Sequence, residues 1–298
     1  MDQVKHQVPV DIELLVDQMP ALSPIVGKLT ELTNKTVVSP RELVKVIMLD
    51  QVLTARVIQV ANLSHNEHCQ DIHSLAQAVI LLGVNTVRNL AVSTAIRSLG
   101  FLRRQNHLVP FNLQAFWRHN LATALATRML AEVQDRSATE LEKFFVAGLM
   151  HDLGKVMFIR VLPERYAQAY EESKYYGVKL TFSEMAHLGS THADVGGLMA
   201  RKWGLDPKLV EVIERHHEPR MEVCKENPAL DLVIIANSLC KQVGLGISGS
   251  PVVEEWAFKL AEGLGFSQSL LDEIAGRLPD ALKNAAIFLN LPLEGETP

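Results

Sequence analysis

The stretch GLMHDLGK, residues 148–155, sets an imidazole and a carboxylate side by side at His151 and Asp152. Such a pair suits a metal ion, and zinc, iron, manganese and nickel all accept these ligands, with geometry deciding among them. A polar turn stopped by Gly154 is the plainer reading. The choice depends on whether further ligands occur. His119 sits in FWRHNLATA, His192 in STHADVGG, His187 in MAHLG, and His216 and His217 close DPKLVEVIERHH. Each alone has an ordinary explanation. A mid-helix histidine such as His119 is commonly a packed, hydrogen-bonded core group. His216 and His217 gain about 0.3–1 kcal/mol as imidazolium at a helix C-terminus. His192 gains nothing of that kind, because a helix start disfavours positive charge, so a neutral ligand role fits it better. Taken together, His119, His151-Asp152, His192 and His216-His217 each come from a different helix or helix end. Helical bundles build internal metal sites in this way.

The elements that must carry these residues announce themselves by their starts and stops. SPRELVKVIM offers Ser39 as N-cap, Pro40 at the first helical position and Glu42 to close a capping box. SATELEKFF repeats the device with Ser137 and Glu140, and TFSEMAHLG with Thr181 and Glu184. Asp206-Pro207 and Ser250-Pro251 open two more helices, while Gly83, Gly100, Gly204 and Gly265 follow apolar-periodic stretches as C-terminal caps do. No segment alternates apolar and polar residues for long enough to form a sheet. The pattern predicts an all-α chain, a multi-helix bundle with an N-terminal helical unit and a second helical unit after it. The boundary is expected within GFLRRQNHLVPFN, residues 100–112, which places the units at 1–108 and 109–298; LQAFWRHNLATALATRMLAEV then opens the second as one long amphipathic helix. Arg97, Arg103, Arg104 and His107 form a local basic cluster near the boundary, of the kind that usually faces water.

Composition narrows the classes. A net charge of −5 argues against a non-specific nucleic-acid binder, which needs basic surface to displace counterions. Three cysteines, Cys69, Cys224 and Cys240, are odd in number and widely spaced, which fits a reduced compartment rather than a disulfide scaffold. The N-terminus lacks the charged-then-apolar pattern of a secretory signal, and AVILLG and LDLVIIA fall far short of the roughly 20 residues of a membrane span. A cytoplasmic location without membrane attachment is expected.

In order and wording, FWRHNLATA, AGLMHDLGK, HADVGGLMARKWGL and VIERHHEP resemble the HD superfamily of metal-dependent phosphohydrolases. MPALSPIVGKLTELTNKTVVSPRELVKVIMLDQVLTARVIQVANL and HSLAQAVILLGVNTVRNLAVSTAI make the resemblance more specific, to the HDOD branch of bacterial signalling proteins. The likeness covers roughly residues 15–240. It implies a helical fold whose second unit is of HD type, with His119, His151, Asp152, His192, His216 and His217 as metal ligands. It also exposes a departure. Catalytic HD proteins complete their site with an aspartate on a late helix, and in LDLVIIANSLCKQ that position is Asn237, a neutral ligand at best. Asp231, six residues earlier, is poorly placed to substitute. HHEPRMEVCKENP also lacks the Gly-Tyr-Pro signature of relatives that open cyclic dinucleotides.

Two functions follow from the resemblance. The first is a bacterial regulatory module with a degenerate metal site, acting through a protein partner on a separate chain, since no receiver or output segment is recognised here. The second is a metal-dependent phosphohydrolase of a nucleotide or cyclic nucleotide, with Asp152 anchoring the metal and Lys155 offsetting phosphate charge. A surface lysine at a helix start is the plain alternative for Lys155. Either way no organic cofactor is expected, and enzymatic activity is the less favoured outcome because of Asn237.

Overall fold

A computed structural model of the chain describes residues 12–17, 39–49, 53–54, 57–58, 60–61, 74–98, 112–220 and 222–288. The regular elements among the described residues are all helical. They run α1 (Ile12–Asp17), α2 (Pro40–Ile47), α3 (Leu75–Ser98), α4 (Leu113–Val133), α5 (Ala138–Met150), α6 (Leu153–Val161), α7 (Pro163–Tyr176), α8 (Leu180–Leu188), α9 (His192–Lys202), α10 (Pro207–Arg215), α11 (Pro228–Val243), α12 (Trp256–Gly263) and α13 (Gln268–Phe288). None of these helices is long and apolar enough to cross a membrane.

Local chemistry explains several of the boundaries. The Ala115 amide donates to the Asn112 side chain at 3.0 Å to start α4. Ser137 and Glu140 close a reciprocal capping box on α5, and Thr191 and Asp194 close another on α9. The Asp206 carboxylate accepts the Lys208 amide at 2.8 Å ahead of Pro207 and α10. Gly204 and Gly265 leave α9 and α12 in left-handed conformations, at φ 65° and 84°.

Three expected starts differ. Ser39 precedes α2 but its side chain makes no capping bond. α8 begins at Leu180, so Thr181 is already inside the helix and cannot be its cap. Ser250 and Pro251 lie in an irregular segment that continues to α12 at Trp256. Gly83, at φ 77°, is non-helical and divides the span of α3 into two helices at a kink, so it does end the helix before it. Gly100, Arg103, Arg104, His107 and the boundary near residue 108 lie outside the described residues, as does the side chain of Arg97.

Three apolar clusters hold these helices. Leu43, Val46 and Ile47 of α2 pack with Leu75, Ala78 and Val79 of α3 in the first. The second joins α6 to α10 through Met157, Phe158, Tyr166, Leu180, Val195 and Ile213, and takes in Val16 of α1. The third joins α4, α5, α11, α12 and α13 through Leu121, Leu130, Phe144, Ile235, Leu260 and Leu278. α4 contributes to both of the last two, with Phe116 in one and Leu121 and Leu130 in the other. Its polar residues His119, Asn120 and Thr123 are buried with them. A polar face enclosed between two apolar clusters must find its partners inside the protein, because water cannot supply them.

Candidate metal centre

The structure brings the sequence-derived histidines and Asp152 together. Asp152, in the turn between α5 and α6, is the N-cap of α6 yet makes no capping bond with its side chain. Its carboxylate points inward and is fully buried. Oδ1 lies 3.2 Å from His192 Nε2 and 3.6 Å from His216 Nε2, and Oδ2 lies 3.4 Å from His151 Nε2. His192 Nε2 and His217 Nε2 are 3.1 Å apart. Potential ligand atoms fall into two groups, each within 4.8 Å: Asp152, His192, His216 and His217 in one, and His119, His151 and Asp152 in the other.

The outer nitrogens fix how the five imidazoles are presented. His151 donates through Nδ1 to the Gly148 carbonyl at 2.7 Å, and His216 to the Ile213 carbonyl at 2.9 Å. His119 Nδ1 faces the Leu245 carbonyl at 3.3 Å, His192 Nδ1 donates to Glu184 Oε2 at 2.7 Å, and His217 Nδ1 stands 3.3 Å from Glu254 Oε1. Every partner is an acceptor, so in the neutral rings the proton sits on Nδ1 and the Nε2 lone pair turns inward. Electrostatics favours the neutral form in four of the five. Burial lowers the His119 pKa to about 4 and holds His151 and His217 well below the ordinary imidazole value. It lowers His216 as well. For His192 burial works in the same sense but is outweighed by Glu184 and Asp152, and its pKa is raised. Burial also opposes ionisation of Asp152, yet His151 and Lys155 beside it keep the carboxyl well below its usual range.

The neutral rings and Asp152 thus give an inward-facing set of lone pairs. His151 Nε2, His216 Nε2 and Asp152 Oδ1 are buried without a hydrogen-bond partner among the described residues. Orphaned acceptors that converge on one carboxylate fit a cation. Asp152, His192, His216 and His217 would hold it, a donor set suited to a first-row transition metal.

His192 lies at the centre of this group and is fully buried, whereas partly exposed His217 forms its edge. Lys155 is not a surface lysine. Only 1% exposed, its ammonium donates to Asp152 Oδ2 at 2.6 Å and to the Ser248 carbonyl at 2.7 Å. Asn237 is in place, with Oδ1 drawn 3.1 Å from His119 Nε2. Since His119 donates through Nδ1, the pair is satisfied with the Asn237 amide turned so that its NH2 donates. Asp231 serves elsewhere, accepting the Cys224 amide at 2.6 Å beside Arg220. His187 pairs with Glu172, away from the site.

The supporting residues are those that sequence reasoning missed. Glu184 of α8 is fully buried, and its Oε2 accepts both the His192 ring and the His192 amide, the latter at 2.9 Å. Glu254 behind His217 takes an ion pair from Lys241 Nζ at 2.8 Å, with both side chains 4% exposed. Gly154 lets α6 and α9 touch: a Cβ there would overlap the His192 carbonyl oxygen and sit 2.7 Å from the Gly196 amide nitrogen. Glu184 fell within a capping-box pattern, and nothing local distinguishes that role from holding His192. A cavity of about 320 Å³ adjoins the site, lined by His119, Tyr170, Lys174, Lys241 and the loop from Gly244 to Pro251.

Comparison with known proteins agrees with this architecture. The HDOD domain pattern matches residues 19–219. The crystal structure of an HDOD domain protein of unknown function from Geobacter sulfurreducens is similar at a TM-score of 0.74 and 25% identity, covering 94% of this chain and 98% of that one. A Marinobacter aquaeolei VT8 protein, provisionally described as a signal transduction protein, aligns at 0.74 and 21% identity over 95% of this chain and 62% of its own. A Shewanella amazonensis SB2B protein, provisionally described as a metal-dependent phosphohydrolase, aligns at 0.63 and 18% identity over 94% and 99%. An uncharacterized protein of Treponema pallidum (strain Nichols) is 21% identical over 226 residues, 74% of this chain and 42% of its own length, so the chain spans about two fifths of that relative. With the pattern matched over two thirds of its length and a similar structure covering 94% of it, the chain belongs to the HDOD domain family.

Proposed function

We propose that the protein is a regulatory HDOD module that retains one divalent metal ion and acts through a protein partner rather than by hydrolysis. The observation that carries this reading is the set of five imidazoles whose Nδ1 atoms are committed outward, with the Nε2 atoms of His151, His192 and His216 turned on Asp152. So much outer hydrogen bonding is what a ligand shell requires, and a core of merely packed histidines does not. Asp152, His192, His216 and His217 hold the ion; when bound, it supplies Lewis acidity to an oxygen placed against it. Against hydrolysis stands Asn237, a neutral group bonded to His119 where the resemblance implies a carboxylate. The Marinobacter relative's description supports a signalling role.

The second reading is a metal-dependent phosphohydrolase of a nucleotide or cyclic nucleotide, favoured by the cavity beside His119. There Lys155, bound to Asp152, would have to release it before contacting a phosphate. One experiment separates the two: elemental analysis of protein stripped by chelator and reloaded, followed by phosphate release from a panel of nucleotides and cyclic nucleotides. Bound metal without turnover supports the regulatory module. Metal-dependent turnover abolished by Asp152→Asn overturns it in favour of the hydrolase, and absence of bound metal overturns the metal reading.

A further inference from the structure

The two oxygens of Asp152 face different company. Oδ1 faces His192 and His216, while Oδ2 faces His151 at 3.4 Å and the Lys155 ammonium at 2.6 Å. The two candidate ligand groups share Asp152 as their only carboxylate. A second dication, on the side of His119 and His151, would need Oδ2. That oxygen is already engaged by a positive charge, fixed from its other side by the Ser248 carbonyl. Lysine is almost never fully buried unless paired, and here its pairing is with the metal-binding carboxylate itself. The helix makes this contact natural, since residues three apart on α6 lie on one face. On the same side Asn237 adds no charge, and His119 is occupied with it.

We infer that Lys155 is the built-in cation of the His119–His151 half of the site, and that it limits the protein to one metal ion per chain. The ammonium supplies there the positive charge that a second ion would bring, at fixed position and without exchange. This inference rests on the metal reading proposed above, and it concerns occupancy rather than activity.

The test is metal stoichiometry by equilibrium dialysis and elemental analysis, with Zn2+ and with Mn2+, on wild type and three variants. Wild type is expected to take one ion. Lys155→Met keeps the length of the side chain, removes the charge and frees Oδ2, so it should take two, the second more weakly. Lys155→Arg keeps the charge and should remain at one. Asn237→Asp, with Lys155 intact, should also remain at one despite the added carboxylate. Two ions on wild type or on Asn237→Asp overturn the inference, and so does one ion on a Lys155→Met protein that melts cooperatively. Should Lys155→Met fail to fold, the Asn237→Asp count still decides. No metal on any of the proteins refutes the metal reading and this inference together; one on wild type and one on folded Lys155→Met refutes the inference alone.

Discussion

Glu184 offers the sharpest test of how the site is supported. Its Oε2 accepts two hydrogen bonds from one residue, from the His192 amide at 2.9 Å and from the His192 ring at 2.7 Å. Both partners are fully buried, so no water replaces a lost acceptor. Glu184→Ala removes both bonds at once. Hydrogen bonds to a charged group contribute about 1.5–3 kcal/mol each, and two orphaned buried donors put the loss of stability at about 3–6 kcal/mol. Relief of burying the carboxylate offsets part of that. Glu184→Gln keeps one oxygen able to accept both bonds, so its loss should be nearer 1 kcal/mol. Metal affinity should respond differently. Removing the partner that orients a ligating histidine typically costs 10- to 100-fold, about 1.4–2.7 kcal/mol, and Glu184→Gln should show the smaller part of that range. Competition against a chromogenic chelator measures the affinity, and thermal melts with and without metal measure stability. If Glu184→Ala binds metal within about twofold of wild type while melting well below it, Glu184 only packs α8 against α9 and the orienting argument is wrong.

Three further outcomes are expected. Gly154→Ala should destabilise by about 1–3 kcal/mol or more and weaken metal binding, because α6 must retreat from the His192 carbonyl and carries Asp152 with it; denaturant melts and chelator competition measure both, and a near-neutral result would refute the close approach. Lys241→Met leaves Glu254 buried without its partner and should cost about 3–5 kcal/mol, whereas Lys241→Met with Glu254→Gln should recover much of it, so a double-mutant cycle without coupling would rule out the pair. The metal-free protein should lose stability as pH falls below about 6.5. His119, His151, His216 and His217 are held neutral in the fold by depressed pKa values, so below their unfolded value the unfolded chain binds more protons, down to about 4 for His119. His192, with a raised pKa, acts in the opposite sense but is one against four. A melting temperature that rises between pH 6.5 and 5 would contradict this assignment of charge.

What could be read from the sequence was what is locally encoded. Ser137 with Glu140 caps α5 because all the groups involved lie within one turn, and the apolar period of residues 113–133 suffices to define α4. The same four-residue pattern at Thr181 and Glu184 misled, since Glu184 serves His192 across a loop instead of capping its own helix. Lys155 was equally opaque. Its position suggests a solvated helix start, and only the approach of Ser248, 93 residues later, closes it inside. The ligand histidines were recognised through their order along the chain, but which of them stands centrally was not. That depends on how α9 packs against α6, a long-range property set by Gly154 and Gly196.

The contact between α6 and α9 has a mechanical corollary. Where backbone meets backbone without an intervening side chain, no rotamer can yield and no soft layer can be compressed. Asp152 and His192 therefore ride on what behaves as one stiff body, and neither helix can tilt from the other without opening a gap. Strain from a change of ion radius or charge cannot be relieved there. It must pass to the other wall of the chamber, where His217 is partly exposed.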